Sequence, residues 1–396
     1  KERLAGRFFH LKSVSLPCGR VRVGRSIPFA GPTVCSPPGA LRVPGFAHDF
    51  RSGRNIHAYN IFVMIQPPYS PAPDRYESTS YRRAGRSGVL LPPLSLGMWH
   101  NFGSEQPFAR IREMAHYAFD RGITHFDLAN NYGPVYGAAE ENMGLLMERS
   151  FRPYRDELFI SSKAGYDMWP GPYGNWGSRK YLMASLDQSL RRMKLDYVDL
   201  FYSHRYDPDT PLEETLQALV DIVRRGKALY VGISRYPLEA ARFAYGYLAG
   251  RDVPCLLFQD RYNLFDREPE RSGVLQLSAD AGSGFIAFSP LAQGLLTNRY
   301  LNGVPAGSRI ATGGALQREA LTDEVLGRIR GLDAVARRRG QTLAEMSLAW
   351  LLRDERVSSV IIGASSTAQI ADNLRALENT RFADEELDEI TRLSIG

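Results

Sequence analysis

Residues 179–204 read RKYLMASLDQSLRRMKLDYVDLFYSH, and they contain one complete unit of the pattern that decides the fold. Positions 179–194 place apolar residues at helical spacing with charges between them. Positions 197–204 then form a short apolar run of strand-forming residues that ends on a histidine. The same alternation recurs along the chain. Strand candidates are LSLGMW (94–99), THFDLA (124–129), LFISSKAG (158–165), YVDLFYSH (197–204), LYVGIS (229–234), CLLFQD (255–260), FIAFSP (285–290) and SSVIIGAS (358–365). Helical patterns lie between them. In 211–227, Glu213 and Glu214 come early and Lys/Arg late, as the helix dipole favours. In 342–354, Thr342 is the expected N-cap and Glu345 its capping-box partner. Strands that alternate with helices over a body of about 300 residues predict a (β/α)₈ TIM barrel. A doubly wound sheet is the competitor, but the first strand is followed by WHNFG, not by a glycine-rich nucleotide turn. Residues 81–92, with a Ser-Gly turn, are expected to form an N-terminal β-hairpin ahead of the first barrel strand.

The bulk composition is that of an ordinary globular protein: 396 residues, 44% hydrophobic and 23% charged. No run reaches the roughly 18 uncharged apolar residues of a membrane span, so no membrane insertion is expected. Cys18, Cys35 and Cys255 have no paired spacing, which fits a reducing compartment and gives no metal motif. The net charge of +6 invites a nucleic-acid reading, but residues 1–63 alone hold ten Lys/Arg against two acids. The body is therefore slightly acidic, and no nucleic-acid partner is expected.

Residues 1–79 read as a leader and an extended arm, expected in part to be poorly ordered or foreign to the natural chain; 80–396 form the barrel. An Arg-rich, acid-poor segment can be a targeting peptide. The favoured expectation is that Met64 is the physiological start.

In a barrel of this kind the chemistry collects at the C-terminal ends of the strands. The stretch THFDLANNYG (124–133) puts Asp127 at one such end with Tyr132 in the loop beyond it. Lys163 and His204 close the next two strands. An ammonium beside a phenol favours the phenolate and is expected to lower the usual pKa of about 10. Asp127 would hold Lys163 charged, and His204 would polarise a carbonyl that Tyr132 protonates. None of the four can deliver hydride, so a nicotinamide cofactor is implied. Taken singly, each residue has a structural alternative, and Lys163 could instead form a Schiff base.

These motifs, with GITHFDLANNYGP, DELFISSKAGY, SLRRMKLDYVDLFYSHR, GKALYVGIS, AFSPLAQGLLTNRYLNG and IIGASSTAQIADN, resemble the aldo-keto reductase family over residues 80–396. Within it they resemble the branch of bacterial L-glyceraldehyde 3-phosphate reductases and potassium-channel β-subunits. The resemblance implies NADPH-dependent reduction of small aldehydes, glyceraldehyde 3-phosphate and methylglyoxal among them, with Tyr132 as general acid. It implies NADPH/NADP+ as cofactor, lying over the barrel mouth. Trp99, Ser234 and Gln259 fall at nicotinamide positions, with Phe288 stacked on the ring. Ser289, Pro290, Leu291 and Gly294 match the pyrophosphate loop, and Arg299 and Arg309 the 2′-phosphate. Gly363, Ser365, Gln369, Asp372 and Asn373 match the adenine side. Trp99, Trp169, Tyr173 and Trp176 are expected to wall the substrate pocket, with Arg179 and Lys180 attracting a phosphate. Three departures stand out: Arg235 in place of the usual Asn, Tyr206 in place of Pro, and Asp260-Arg261 in place of Pro-Lys. A cytoplasmic homo-oligomer, tetramer or larger, is also implied. The alternative is an NADP(H)-binding regulatory subunit with little turnover, against which His204 argues.

Overall fold

The computed structural model describes residues 68–301, 303–304 and 321–395; the leader and Arg309 lie outside the described residues. Eight parallel strands close on one another: β3 (Leu94–Gly97), β4 (His125–Asp127), β5 (Phe159–Ala164), β6 (Val198–Ser203), β7 (Ala228–Ser234), β8 (Cys255–Arg261), β9 (Gly284–Phe288) and β10 (Val357–Ile362), which returns to pair with β3. This is the expected (β/α)₈ barrel. Ahead of it, β1 (Arg82–Arg83) and β2 (Leu90–Leu91) form the expected antiparallel hairpin.

The outer layer comprises α1 (Phe108–Asp120), α2 (Ala138–Leu146), α3 (Arg179–Met193), α4 (Leu212–Arg224), α5 (Leu238–Ala249), α6 (Glu268–Arg271), α7 (Val274–Ala281), α8 (Asp323–Arg338), α9 (Leu343–Leu352), α10 (Thr367–Leu374) and α11 (Asp384–Ile395). The helices begin where side-chain chemistry directs. Ser178 caps α3 by accepting from Tyr181 N. Thr342 and Glu345 form the expected reciprocal capping box on α9. One helix per strand is too simple, however: α6 and α7 both follow β8, and α8 and α9 both precede β10.

The hairpin closes the N-terminal end of the barrel. Ala84 and Leu91 are fully buried and pack with Leu200, Tyr202 and Leu257. Gly85 holds φ +55°, and a Cβ there would fall 2.1 Å from Gly282 O, so the tip tolerates no side chain. Arg82 ties the hairpin down by donating to Leu352 O and Asp354 O at 2.7 and 3.0 Å. Residues 68–79, the described part of the expected extended arm, lie against the outer wall. Tyr69 stacks on His116 at 3.7 Å and donates to Asp120 Oδ1 at 2.7 Å, while Arg75 and Tyr76 both reach Glu157.

Inside the barrel the two-residue period of the strands selects a polar column. Ser359 Oγ donates to Pro92 O at 2.7 Å and meets Ser95 Oγ at 2.6 Å. His125 lies between Ser95 and Ser161, at 2.8 and 2.9 Å from its two ring nitrogens. Ser161 in turn donates to Asp127 at 2.8 Å. Every member of the column is buried, so each polar group is satisfied by its neighbour in place of water.

Burial pushes the His125 imidazole down to about 4 from its ordinary 6.5, with Asp127 opposing and Lys163 reinforcing the shift. The unfolded chain takes up that proton near its ordinary pKa, whereas the folded barrel resists it. Between the two values the unfolded state binds more protons, so stability rises with pH and is lost on acidification from about 6.5 toward 4. The full contribution is about 3 kcal/mol at 1.36 kcal/mol per pKa unit. Urea unfolding at pH 7 and pH 4.5 should show this loss, and His125→Gln should shrink it. A loss of unchanged size in that variant assigns the effect to other groups.

Candidate active site

Strand register brings the charged residues together at the open end. Asp127 on β4 pairs across to Ser161 on β5, and Lys163, two residues on, pairs across to Tyr202 on β6. Asp127 and Lys163 therefore both point into the barrel, one pleat apart. Lys163 Nζ donates to Asp127 Oδ2 at 2.5 Å and to Leu128 O at 2.7 Å. Asp127 Oδ1 accepts from Ser161 Oγ at 2.8 Å and from Gln259 Nε2 at 3.1 Å. Both partners are essentially inaccessible, at 0% and 2% exposure, so the pair is fully desolvated. Burial pulls the Lys163 ammonium below its ordinary range, with Asp127 acting to retain the proton.

Tyr132 stands over this pair, half-buried in the loop after β4. Lys163 Nζ lies 4.9 Å from its ring centre, and the rings of His204 and Trp99 lie at 5.8 and 6.0 Å. The sequence reading expected the ammonium to lower the phenol pKa, and this requires correction. Burial, joined by the negative charge of Asp127, holds the phenol well above its ordinary value. Tyr132 is thus a protonated phenol throughout the neutral range. His204 is pushed in the opposite direction: burial, then Lys163, Arg235 and Arg205, hold its imidazole well below the ordinary range, so it is neutral. Its Nδ1 is buried with no partner among the described residues. Gly165, at the end of β5, lets the strands converge here, since a Cβ on it would come within 2.9 Å of His204 Cβ.

A groove's worth of candidate nucleotide contacts runs from this point around the rim. Ser234 and Gln259 are register partners on β7 and β8. Ser234 Oγ and Gln293 Oε1 are buried without partners, as groups awaiting an amide-bearing ligand would be. Gln259 is already engaged by Asp127. Phe288 ends β9 half-buried, and the following loop places Ser289, Ala292, Gln293 and Gly294 at φ 53°, 45°, 59° and 105°. Three left-handed residues in succession coil the loop tightly on itself, with Ala292 N donating to Ser289 O at 3.1 Å and Gly294 N to Leu291 O at 2.8 Å. Pro290 and Leu291 belong to the same loop, Asn263 fixes it by donating to Ser289 O at 3.0 Å, and Arg299 is exposed just beyond it. Past β10, Gly363 is exposed, with nothing within 4 Å of an added Cβ. Ser365 Oγ donates to Gln369 Oε1 at 3.0 Å, Asp372 pairs with Arg375 at 2.9 Å, and Asn373 is buried on α10. The unpartnered Ser234 and Gln293 atoms, beside the half-buried ring of Phe288, fit the amide and ring of a nicotinamide dinucleotide.

The loop after β5 splits the expected pocket wall. Trp176 is 39% exposed and reaches the mouth, lying 3.5 Å beneath Arg205. Trp169 instead packs on Tyr181 of α3 at 5.0 Å. Tyr173 is exposed under Lys180, and Arg179 pairs with Asp221 at 2.5 Å, so the basic pair read from the sequence is engaged in starting α3. Tyr166 escaped the sequence reading altogether, although its ring meets His204 edge-on at 4.7 Å. The column residues Ser161 and His125 were missed as well. Their i−2 spacing from Lys163 and Asp127 is the signal that could have found them.

Comparison with known proteins agrees with this architecture. A model of the aldo/keto reductase family matches residues 93–395. L-glyceraldehyde 3-phosphate reductase of Escherichia coli (strain K12) is 54% identical over 322 residues, covering 80% of this chain and 93% of the relative. A probable voltage-gated potassium channel subunit beta of Arabidopsis thaliana is 35% identical over 305 residues, covering 75% and 91% respectively. Among the described residues no helix is long and apolar enough to cross a membrane, and no group of His, Cys, Asp or Glu could hold a metal ion.

Removing Lys163 strands a buried carboxylate, so Lys163→Met should cost about 3–5 kcal/mol in urea unfolding. Adding Asp127→Asn to that variant should restore a substantial part, because the uncompensated charge disappears. Unfolding of Lys163→Met at the wild-type urea midpoint is incompatible with a desolvated pair.

Proposed function

The chain belongs to the aldo/keto reductase family, and from that premise we propose that it reduces small aldehydes to alcohols with NADPH, Tyr132 acting as general acid. The observation that carries this reading is the buried Asp127–Lys163 pair with Tyr132 and His204 gathered around it. The family generally uses NAD(P)H, and when bound the cofactor supplies the hydride. Ser234, Phe288, the loop 289–294 and Arg299 are the described residues that would hold it, with Ser365, Gln369, Asp372 and Asn373 at the adenine end.

The chain's own groups manage the proton. A phenol kept protonated by burial presents its hydrogen to the carbonyl oxygen and polarises it. As negative charge develops there, the oxygen becomes far more basic than a phenolate, and the proton transfers. Lys163, its Nζ 4.9 Å from the ring centre, then stabilises the phenolate by its charge, so the raised resting pKa and the acid role agree. A neutral His204 can donate one hydrogen bond to the same oxygen without adding charge. The ion pair with Asp127 argues against a Schiff-base role for Lys163, which requires a free neutral amine.

The name of the E. coli relatives supports glyceraldehyde 3-phosphate as substrate, and methylglyoxal is a second small aldehyde that the family resemblance supports. The resemblance further supports a cytoplasmic homo-oligomer. A second reading, a nucleotide-binding regulatory subunit, draws on the channel-subunit relatives; His204 beside Tyr132 favours turnover instead.

Tyr132→Phe removes the proton and little else. It should lower kcat for an activated aldehyde such as 4-nitrobenzaldehyde by about 10²- to 10⁴-fold. NADPH binding, followed by fluorescence titration, should stay within about twofold, since the ring is kept. Wild-type rates in this variant sink the acid assignment, and NADPH binding without turnover in the wild type favours the regulatory reading.

A further inference from the structure

The loops after β5, β6 and β7 bring two guanidinium groups to the rim beside His204. Arg205 follows His204 directly. Its Nε donates to Gly165 O and its Nη2 to Asn175 Oδ1, both at 2.8 Å. Its flat group lies 3.5 Å from the Trp176 ring centre and 4.2 Å from that of Tyr166. Both faces are stacked, so this cation is locked in place. Arg235 arrives from the other side, directly after Ser234 at the end of β7. Its Nη1 donates to the Tyr166 hydroxyl at 3.1 Å, and that ring meets His204 edge-on at 4.7 Å. Arg235 is exposed and holds φ 55°, a conformation non-glycine residues rarely adopt.

Neither cation is neutralised. Among the described residues, neither forms an ion pair, and Asp260 feels Arg235 only as a nearby charge. The contrast with Arg179 and Lys180 is direct: the first is spent on Asp221 and the second lies over Tyr173. Two guanidinium groups around one tyrosine, neither of them in an ion pair among the described residues, repel each other and raise the local potential, which a dianion relieves. Their planar forks match phosphate oxygens better than ammonium groups would.

Building on the reductase reading above, we propose that Arg235, backed by Arg205, forms the subsite for the phosphate of a phosphorylated aldehyde and sets the preference for such substrates over uncharged ones. The departure from the usual asparagine at position 235 thereby acquires a role at the substrate, and the anion site lies on the His204 side of the mouth.

Steady-state kinetics with saturating NADPH test this with glyceraldehyde 3-phosphate and glyceraldehyde in the wild type, Arg235→Ala and Arg205→Lys. In Arg235→Ala, kcat/KM for the phosphorylated aldehyde should fall by about 10- to 100-fold, mostly through KM, as expected for a lost charge-assisted bond. That loss should exceed the loss on glyceraldehyde at least tenfold, and Arg205→Lys should show the same bias more weakly. Equal losses on both aldehydes, or a matching rise in the NADPH dissociation constant, overturn the proposal and assign Arg235 to the carbonyl or the cofactor. Unchanged kinetics on both overturn it as well. If the wild type reduces neither aldehyde, the reductase reading itself fails. Calorimetry with glycerol phosphate in the presence of NADP+ then still decides the subsite, because Arg235→Ala must weaken that binding at least tenfold for the proposal to stand.

Discussion

A single ion pair, Lys163 with Asp127, organises the open end of this barrel. Two charges taken fully out of water are costly, and their mutual attraction repays the cost only when the remaining hydrogen-bonding capacity is also met. Here it is met from several directions: Leu128 O accepts from the ammonium, while Ser161 and Gln259 donate to the carboxylate. Each partner comes from a different strand, so the pair reads the register of β4, β5 and β8 at once. A slip of one residue in any of them would turn a partner to the outside. The column through His125 and Ser95 extends that dependence to β3 and β10.

The same pair separates the roles of the groups above it. Burial drives Tyr132 up and His204 down, which leaves a protonated phenol and a neutral imidazole side by side. Titratable groups pushed apart by their surroundings are a common mark of sites that handle protons. The ammonium beneath does not make the resting phenol acidic. On the proposed reading its effect would emerge when the phenol gives up its proton, since a group stabilised at that moment lowers a barrier without destabilising the resting state.

Much of the scaffold was legible in the sequence, because strand and helix periods are local. All eight strands lie within three residues of their expected limits, and the capping box at Thr342 and Glu345 formed as read. The convergence of Asp127, Lys163, Tyr132 and His204 was also legible, since barrel topology places strand ends together. What escaped depended on relations across the chain. The sign of the Tyr132 shift turns on burial, which no spacing reveals. Arg179 and Lys180 look free in sequence but meet Asp221 and Tyr173 only once α3 and α4 have packed. Residues 68–79 read only as an extended arm, and nothing local shows that Tyr69 meets His116, 47 positions away. Tyr166 gives no sign of its contact with His204 in a motif dominated by the neighbouring lysine.

The hairpin beneath the barrel has a consequence for traffic. With Ala84 and Leu91 sealed against Leu200, Tyr202 and Leu257 and Arg82 anchoring the seal, the barrel is stoppered at its N-terminal end. Two short strands at the opposite end of the molecule thereby leave the rim that carries Asp127, Lys163, Tyr132 and His204 as the side from which the barrel interior is approached.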